Sequence, residues 1–310
     1  DGTMGLAKEG SAYIFFSANS SSIARTTGTP DNPTAAVTNS GMQIGAMKHS
    51  YNYTAGGSVY RDPNSGMLLM FYHSELWDGG AVNFWSLIGM AKSTDDGNSW
   101  TDLGEIIKPS SPFGSGNHEI TGGTYVIVGE YFYIYFRDRL QNGGQINLAV
   151  ARARVSDVVA AANSSSVATW TKYLNGAWSQ PGLGGTSSAL ESGNPGTNFM
   201  SGSYNEYSGK YLLVMVSFSA SWDLSIIESA DGINWSNRVR IDADAFESYA
   251  PSIVGMASTP GNSGQSFYLY YSYSQAGGFN RWSDSEFSRR LITLQGAAGG
   301  PIVSLSASPM

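Results

Sequence analysis

The sequence has no cysteine in 310 residues and only 3 histidines. That excludes a disulfide framework, a thiolate metal site and a cysteine nucleophile. Charge is scarce too: 13% of residues are Asp, Glu, Lys or Arg, and the net charge is −7. No basic stripe of the kind that releases counterions from a nucleic acid is present, so no nucleic-acid partner is expected. No apolar run approaches about 18 residues, so no membrane-spanning helix is expected either. What the chain has in abundance is glycine (38 residues) and aromatics (8 Trp, 18 Tyr and 13 Phe). Aromatic content this high, with so little charge, is incompatible with disorder. A chain this long buries roughly three quarters of its unfolded surface and needs no covalent staples. Such a composition fits a secreted, monomeric protein that requires no cofactor.

Short apolar stretches rich in Tyr, Phe, Val and Ile recur between Gly/Asn/Ser turns, as strands do. The most apolar are Ala12–Ser17, Met67–His73, Tyr131–Arg137, Tyr211–Phe218 and Phe267–Tyr273, spaced by about 55 to 80 residues. Each of the last four follows a Gly/Ser-rich first strand: Gly56–Tyr60, Gly122–Val128, Phe199–Tyr204 and Pro251–Met256. Third strands follow, and fourth strands start at Trp100, Trp170 and Trp235. A spacing of one four-stranded antiparallel blade plus loops predicts an all-β, five-bladed β-propeller forming one domain over 1–310. The one helical pattern, Ser156–Ala162, reads as an insertion in the third blade. Ser93-Thr-Asp95-Asp-Gly97-Asn-Ser-Trp100 matches the Asp-box pattern S-x-D-x-G-x-x-W, and Ser229–Trp235 repeats it one residue shorter. Asp there caps backbone amides and Gly takes positive φ, which makes these aspartates structural.

Antiparallel strands sort the loops onto two ends of the blades. Asp1, His49, His118, Glu119, Glu191 and Glu247 precede first strands, and His73, Glu75, Arg137 and Asp138 end second strands. Trp77, Trp222 and Trp282 lie in the loops that follow. All are expected on one face. Asp1, Glu119, Glu191 and Glu247 are the candidate catalytic carboxylates. His49, His73, His118, Glu75, Arg137, Asp138 and the three tryptophans are the candidate substrate-binding residues, with the tryptophans suited to stacking on sugar rings. Arg137 and Asp138 read equally well as an ion pair between blades, and each histidine as a structural one. Asp1 reads equally as a catalyst or as a chain terminus.

Carboxylates at the starts of inner strands in a five-fold repeat resemble the five-bladed glycoside hydrolases, families 43 and 32 among them. The resemblance implies a glycosidase acting on arabinose-, xylose-, galactose- or fructose-containing glycans. In family 43 an Asp opens blade one, an acid opens blade three and a general-acid Glu opens blade four, which places Asp1, Glu119 and Glu191 in those roles. The family also permits a calcium ion on the axis near a histidine. This sequence departs from the pattern in offering Glu at blade three and in lacking Asp-Pro at blade one. Arg61-Asp62-Pro63-Asn64 resembles the family 32 nucleophile motif but falls in a hairpin on the opposite face. The Asp boxes resemble those of sialidases, which need more arginines than Arg137 and Arg139. A carbohydrate-binding lectin and a polysaccharide lyase using His49, His73, His118, Tyr53 and Arg137 are the other readings.

Overall fold

Glycine, serine and threonine recur along the first strands of the later repeats, and the computed structural model shows why. It describes residues 3–9, 12–78, 83–139, 146–192, 196–217, 223–241, 247–257, 259, 261–274, 285–295 and 304–309, with backbone alone at 247 and 304–309. Unit 1 comprises β1 (Gly5–Glu9), β2 (Ala12–Asn19), β3 (Ser22–Thr29) and β4 (Asn32–Met42). A two-residue strand, β5 (Ile44–Gly45), pairs onto the outer edge of unit 2. In unit 2 the innermost strand is split into β6 (Tyr53–Ala55) and β7 (Val59–Arg61). It is followed by β8 (Leu68–Trp77), β9 (Phe84–Ser93) and β10 (Trp100–Ile107). Unit 3 is β11 (His118–Val128), β12 (Tyr131–Arg139), β13 (Ile146–Arg154), helix α1 (Val155–Asn163), β14 (Thr171–Leu174) and β15 (Ala177–Pro181). Unit 4 is β16 (Asn198–Asn205), β17 (Lys210–Ser217), β18 (Asp223–Ser229) and β19 (Val239–Arg240). Unit 5 is β20 (Glu247–Gly255), β21 (Ser266–Ser274), β22 (Ser285–Gln295) and β23 (Ser304–Pro309).

Every unit is an antiparallel meander, and the molecule is a β-propeller. Units 2 and 3 join into one 11-stranded sheet through a short parallel contact, His118 opposite Trp85 and Glu119 opposite Ser86. Because side chains alternate across a strand, each sheet buries both faces, one against each neighbouring unit. Phe71 and Ile88 of unit 2 meet Phe132, Ile134 and Phe136 of unit 3. Tyr133, Tyr135 and Val150 of unit 3 meet Met200, Leu213 and Met215 of unit 4. Units 4 and 5 share Val214, Val216, Leu269 and Tyr271, while units 1 and 2 share Phe16, Ile23, Met70 and Tyr72. The ring closes where Met4 and Phe15 of unit 1 pack on Val254 and Tyr270 of unit 5.

At the axis the strands approach too closely for large side chains, and short hydroxyls bridge them. Ser58 Oγ donates to Gly123 O (3.0 Å), and Gly202 N to Thr124 Oγ1 (2.9 Å). Ile253 N donates to Ser201 Oγ (2.9 Å) and Met4 N to Ser252 Oγ (2.8 Å). A Cβ on Gly57 would stand 1.9 Å from Phe71 O, so this position admits glycine alone.

In units 2 to 5 the innermost strand carries one more residue than its partner at the same level. The pairs step from Ala55↔His73 to Val59↔Met70, and from Thr121↔Arg137 to Thr124↔Tyr135. They step likewise from Asn198↔Val216 to Met200↔Met215, and from Tyr249↔Ser272 to Ser252↔Tyr270. The backbone takes positive φ there at Gly122 (105°), Phe199 (21°) and Ala250 (48°). An extra residue shifts the side-chain alternation by one, so the residues above the bulge are aimed independently of the core below it.

The two S-x-D turns close hairpins at the opposite ends of the strands. Asp95 accepts from Ser93 Oγ (2.7 Å), Ser99 N (2.9 Å) and Ser99 Oγ (2.6 Å), Gly97 has φ 76°, and Trp100 packs edge-on against Phe16. At Asp231, burial opposes ionisation, but hydrogen bonds from the amides of Asn234 and Ile233 and from Asn234 and Ser229 side chains outweigh it. They bring the carboxyl from 3.8 down to about 2. A folded-state value below the unfolded one gives stability that is present above pH 4 and fades as pH falls towards 2. Asp231→Ala should therefore cost about 1 kcal/mol at pH 7, discounted for solvent exposure, and the deficit should shrink below pH 3. Chemical denaturation at pH 7 and pH 2.5 checks this; an equal deficit at both would contradict it.

Candidate active site

Period-2 alternation at the ends of β8, β11 and β12 decides which candidate residues meet. On β8, Phe71, His73, Glu75 and Trp77 share one face, the face that packs on unit 3. His73 Nε2 lies 2.9 Å from Glu75 Oε1, an arrangement in which the imidazole N–H donates to the carboxylate. Tyr53 stands over the His73 ring at 6.5 Å, and burial, with the Glu75 charge, pushes its hydroxyl well up. Trp77 stacks on Phe84, centroids 6.4 Å apart and planes within 8°.

On β11 and β12 the pairing sets Glu119 against Arg139 and Thr121 against Arg137. Glu119 is buried, and each of its oxygens meets a guanidinium: Oε2 with Arg137 Nη2 and Oε1 with Arg139 Nη1, both at 2.5 Å. Burial pulls the Arg137 guanidinium below its ordinary value, and the Glu119 charge opposes that. Tyr249, from the innermost strand of unit 5, completes the group. Burial pushes its hydroxyl well up; Arg137 and a hydrogen bond with Asn198 act against this, whereas Glu75 and Glu119 add to it. Phe199 packs on Tyr249 with centroids 4.3 Å apart. His73, Phe199 and the glycine pairs 56–57 and 122–123 line a narrow cleft on the axis below. His73 Nδ1, in this cleft, and Asn198 Oδ1, next in sequence to Phe199, are buried with no hydrogen-bond partner among the described residues. Polar atoms in that state are left for water or a ligand to satisfy.

Asp138, next in sequence to Arg137, points to the opposite face and is not its ion-pair partner. It accepts a hydrogen bond from Ser187 Oγ. Burial raises its carboxyl, against the pull of Lys172, Ser187 and His118. Lys172 is fully buried, donates to the carbonyls of Lys108 (2.6 Å) and Gly185 (2.7 Å), and is brought by burial down to about 8. His118 is buried on this same side, its Nε2 3.3 Å from Ser115 O. His49 lies elsewhere again, exposed and 4.0 Å from Glu105 Oε1, in a cleft between units 1 and 2. The three histidines thus occupy three places rather than one depression.

Glu191 sits between units 3 and 4, held by Arg238 through Nε–Oε1 (2.8 Å) and Nη2–Oε2 (2.7 Å). No described contact joins it to Glu119. Asp1, Trp222 and Trp282 lie outside the described residues, and Glu247 opens β20 with its side chain outside them. Among the described residues there is no group of three or more His, Asp or Glu side chains that could hold a metal ion. Tyr249, Asn198 and Arg238 are absent from the sequence-based set. Tyr249 stands two residues from Glu247, so the same inner-strand logic reaches it; nothing in the sequence marks Arg238.

No protein-family model matches the chain, and no curated protein matches it. Solved structures do. A Bifidobacterium bifidum protein provisionally assigned as an exo-β-1,3-galactanase superposes with a TM-score of 0.61 at 15% identity, covering 98% of this chain and 90% of that one. A family 117 glycoside hydrolase from Zobellia galactanivorans gives 0.62 at 10%, covering 92% and 82%. An arabinanase from Bacillus subtilis gives 0.54 at 12%, covering 94% and 93%. At such identities the likeness is one of fold, and the chain has the β-propeller fold of the glycoside hydrolases of families 43, 62, 117 and 32.

Proposed function

We propose that the protein is a glycoside hydrolase whose active site is the axial mouth formed by Glu75, His73, Glu119, Arg137 and Tyr249. The observation that carries this reading is that Glu75 and Glu119 both pair with Ser86, one on each side of β9, which sets two carboxylates in one row at the ends of the strands. Glycoside hydrolysis needs one carboxyl group to protonate the leaving oxygen and another to activate water or attack the sugar. Glu119, with both oxygens taken by guanidinium groups, is suited to a fixed negative charge and not to giving up a proton. Glu75 has one oxygen held by His73 and the other without a partner among the described residues, so it is the carboxylate free to react. The second reacting acid comes from Glu247, which opens β20, or from Asp1, which precedes β1 in sequence. Tyr249 and Asn198 would bind hydroxyls of a sugar held at the mouth, and Trp77 would stack on a neighbouring ring. The substrates are arabinose-, xylose-, galactose- or fructose-containing glycans.

A screen of purified protein against arabinan, arabinoxylan, arabinogalactan, levan and the matching aryl glycosides tests the proposal. Reducing-sugar release from at least one is expected. Saturable sugar binding with no release from any would replace hydrolysis by a lectin function.

A further inference from the structure

A second site stands apart from the axis, in the groove between units 5 and 1. The groove has a volume of about 760 Å³ and runs between the β3–β4 turn and the outer half of unit 5. The register Tyr270↔Arg289 and Ser272↔Phe287 puts Tyr270, Phe287 and Arg289 on a single face of that sheet. Phe287 is 57% exposed and stacks on Tyr270, centroids 5.1 Å apart and planes 18° from parallel. Tyr270 in turn donates its hydroxyl to Pro30 O at 2.9 Å, which fixes the pair of rings against the turn of unit 1. Arg289 lies 5.4 Å over the Tyr268 ring. Across the groove, the Thr29 hydroxyl and, more weakly, the Arg289 charge hold the Asp31 carboxyl below its ordinary range.

We propose that this groove holds a segment of glycan: one sugar ring stacks on Phe287 while its hydroxyls reach Arg289 and Asp31. The chemistry favours a sugar over a protein partner. Among the described residues the apolar part of the groove is one exposed ring on a rigid stacked support, not the contiguous patch of a few hundred Å² that a protein would cover. On either side stand a planar donor and a carboxylate acceptor, the pair that hydroxyl groups need, and an aromatic face suits the C–H face of a sugar. None of these residues belongs to the axial mouth. The groove would therefore hold a polymer without cleaving it and raise the local concentration of chain ends or internal bonds at the axis. It shares with the axial proposal only the class of ligand.

Native gels cast with arabinan, arabinogalactan, arabinoxylan or levan test the site through retardation of the band. Retardation by at least one polymer is expected, unchanged in Glu75→Gln and reduced at least five-fold in Phe287→Ala. Phe287→Tyr, which keeps the aromatic face, should retain it, and a melting temperature within about 2 °C of wild type would show that Phe287→Ala folds. No retardation by any of the four, or equal retardation of Phe287→Ala and wild type, would overturn the proposal. Release from the aryl glycosides of the hydrolysis screen, too small to span both places, reads the axial mouth alone, so an active enzyme lacking retardation would sink this site and leave the axial assignment standing.

Discussion

Glu75→Gln should lower turnover by about 10²–10⁴-fold, the usual range for a lost acid–base group, while the melting temperature stays within about 2 °C of wild type. The substitution is gentle because Gln keeps an oxygen in the place of Oε1, where it can still accept the 2.9 Å hydrogen bond from His73 Nε2. Only the charge and the titratable proton disappear. Glu119→Gln is a different experiment. Glu119 is the carboxylate partner of Arg137, which is buried, and of Arg139. Removing one member of a buried pair leaves a desolvated charge and costs about 3–5 kcal/mol. Its turnover must therefore be read on the fraction still folded. Combining Glu119→Gln with Arg137→Met should restore much of the stability, since neutral replacement of both partners is close to isoenergetic, but should not restore activity. Thermal melts and initial rates on whichever glycan the screen identifies measure both effects. Wild-type rates in Glu75→Gln would remove Glu75 from the chemistry.

The strand repeat was legible in the sequence because each first strand had to be small at the axis and each second strand apolar on both faces. Gly122–Val128 and Tyr131–Arg137 both fall inside observed strands, and the helical insertion expected at Ser156–Ala162 spans Val155–Asn163. Trp235, expected to start a fourth strand, makes only an isolated bridge to Ser229. The site was less legible because neighbours in sequence part company on a strand. His118 and Glu119 point to opposite faces, as do Arg137 and Asp138, so a reading by loop position lumps together residues that meet different units. The one-residue bulges compound this, since they change the alternation between Thr121 and Thr124 without any mark beyond a glycine pair. Long-range pairing is the remaining gap: nothing near Glu191 in sequence announces that Arg238, 47 positions on, will take both of its oxygens.

That pairing leads to the second large effect, and to the opposite outcome from Glu75. Arg238 donates through Nε and Nη2 to Glu191, and through Nη1 to Gly196 O (2.8 Å) and Ser217 Oγ (2.5 Å). One guanidinium thus fastens the segment entering unit 4 to the end of β17. Both side chains are largely buried, at 13% and 10% exposure, so solvent screens the pair little. Arg238→Ala strips four hydrogen bonds and strands the Glu191 carboxylate, and it should cost about 3–5 kcal/mol. Glu191→Gln keeps a neutral acceptor and donor in the fork and should cost less, about 1–3 kcal/mol. If Glu191 were the proton donor, that same change would cut turnover by orders of magnitude per folded molecule. A carboxylate saturated by a bidentate arginine is badly placed to donate a proton, so the expected result is reduced stability with turnover per folded molecule within about three-fold of wild type. Denaturant titration gives the first quantity and active-site-normalised rates the second. A hundred-fold loss of rate in stably folded Glu191→Gln would return Glu191 to the reaction and require the Arg238 fork to open during catalysis.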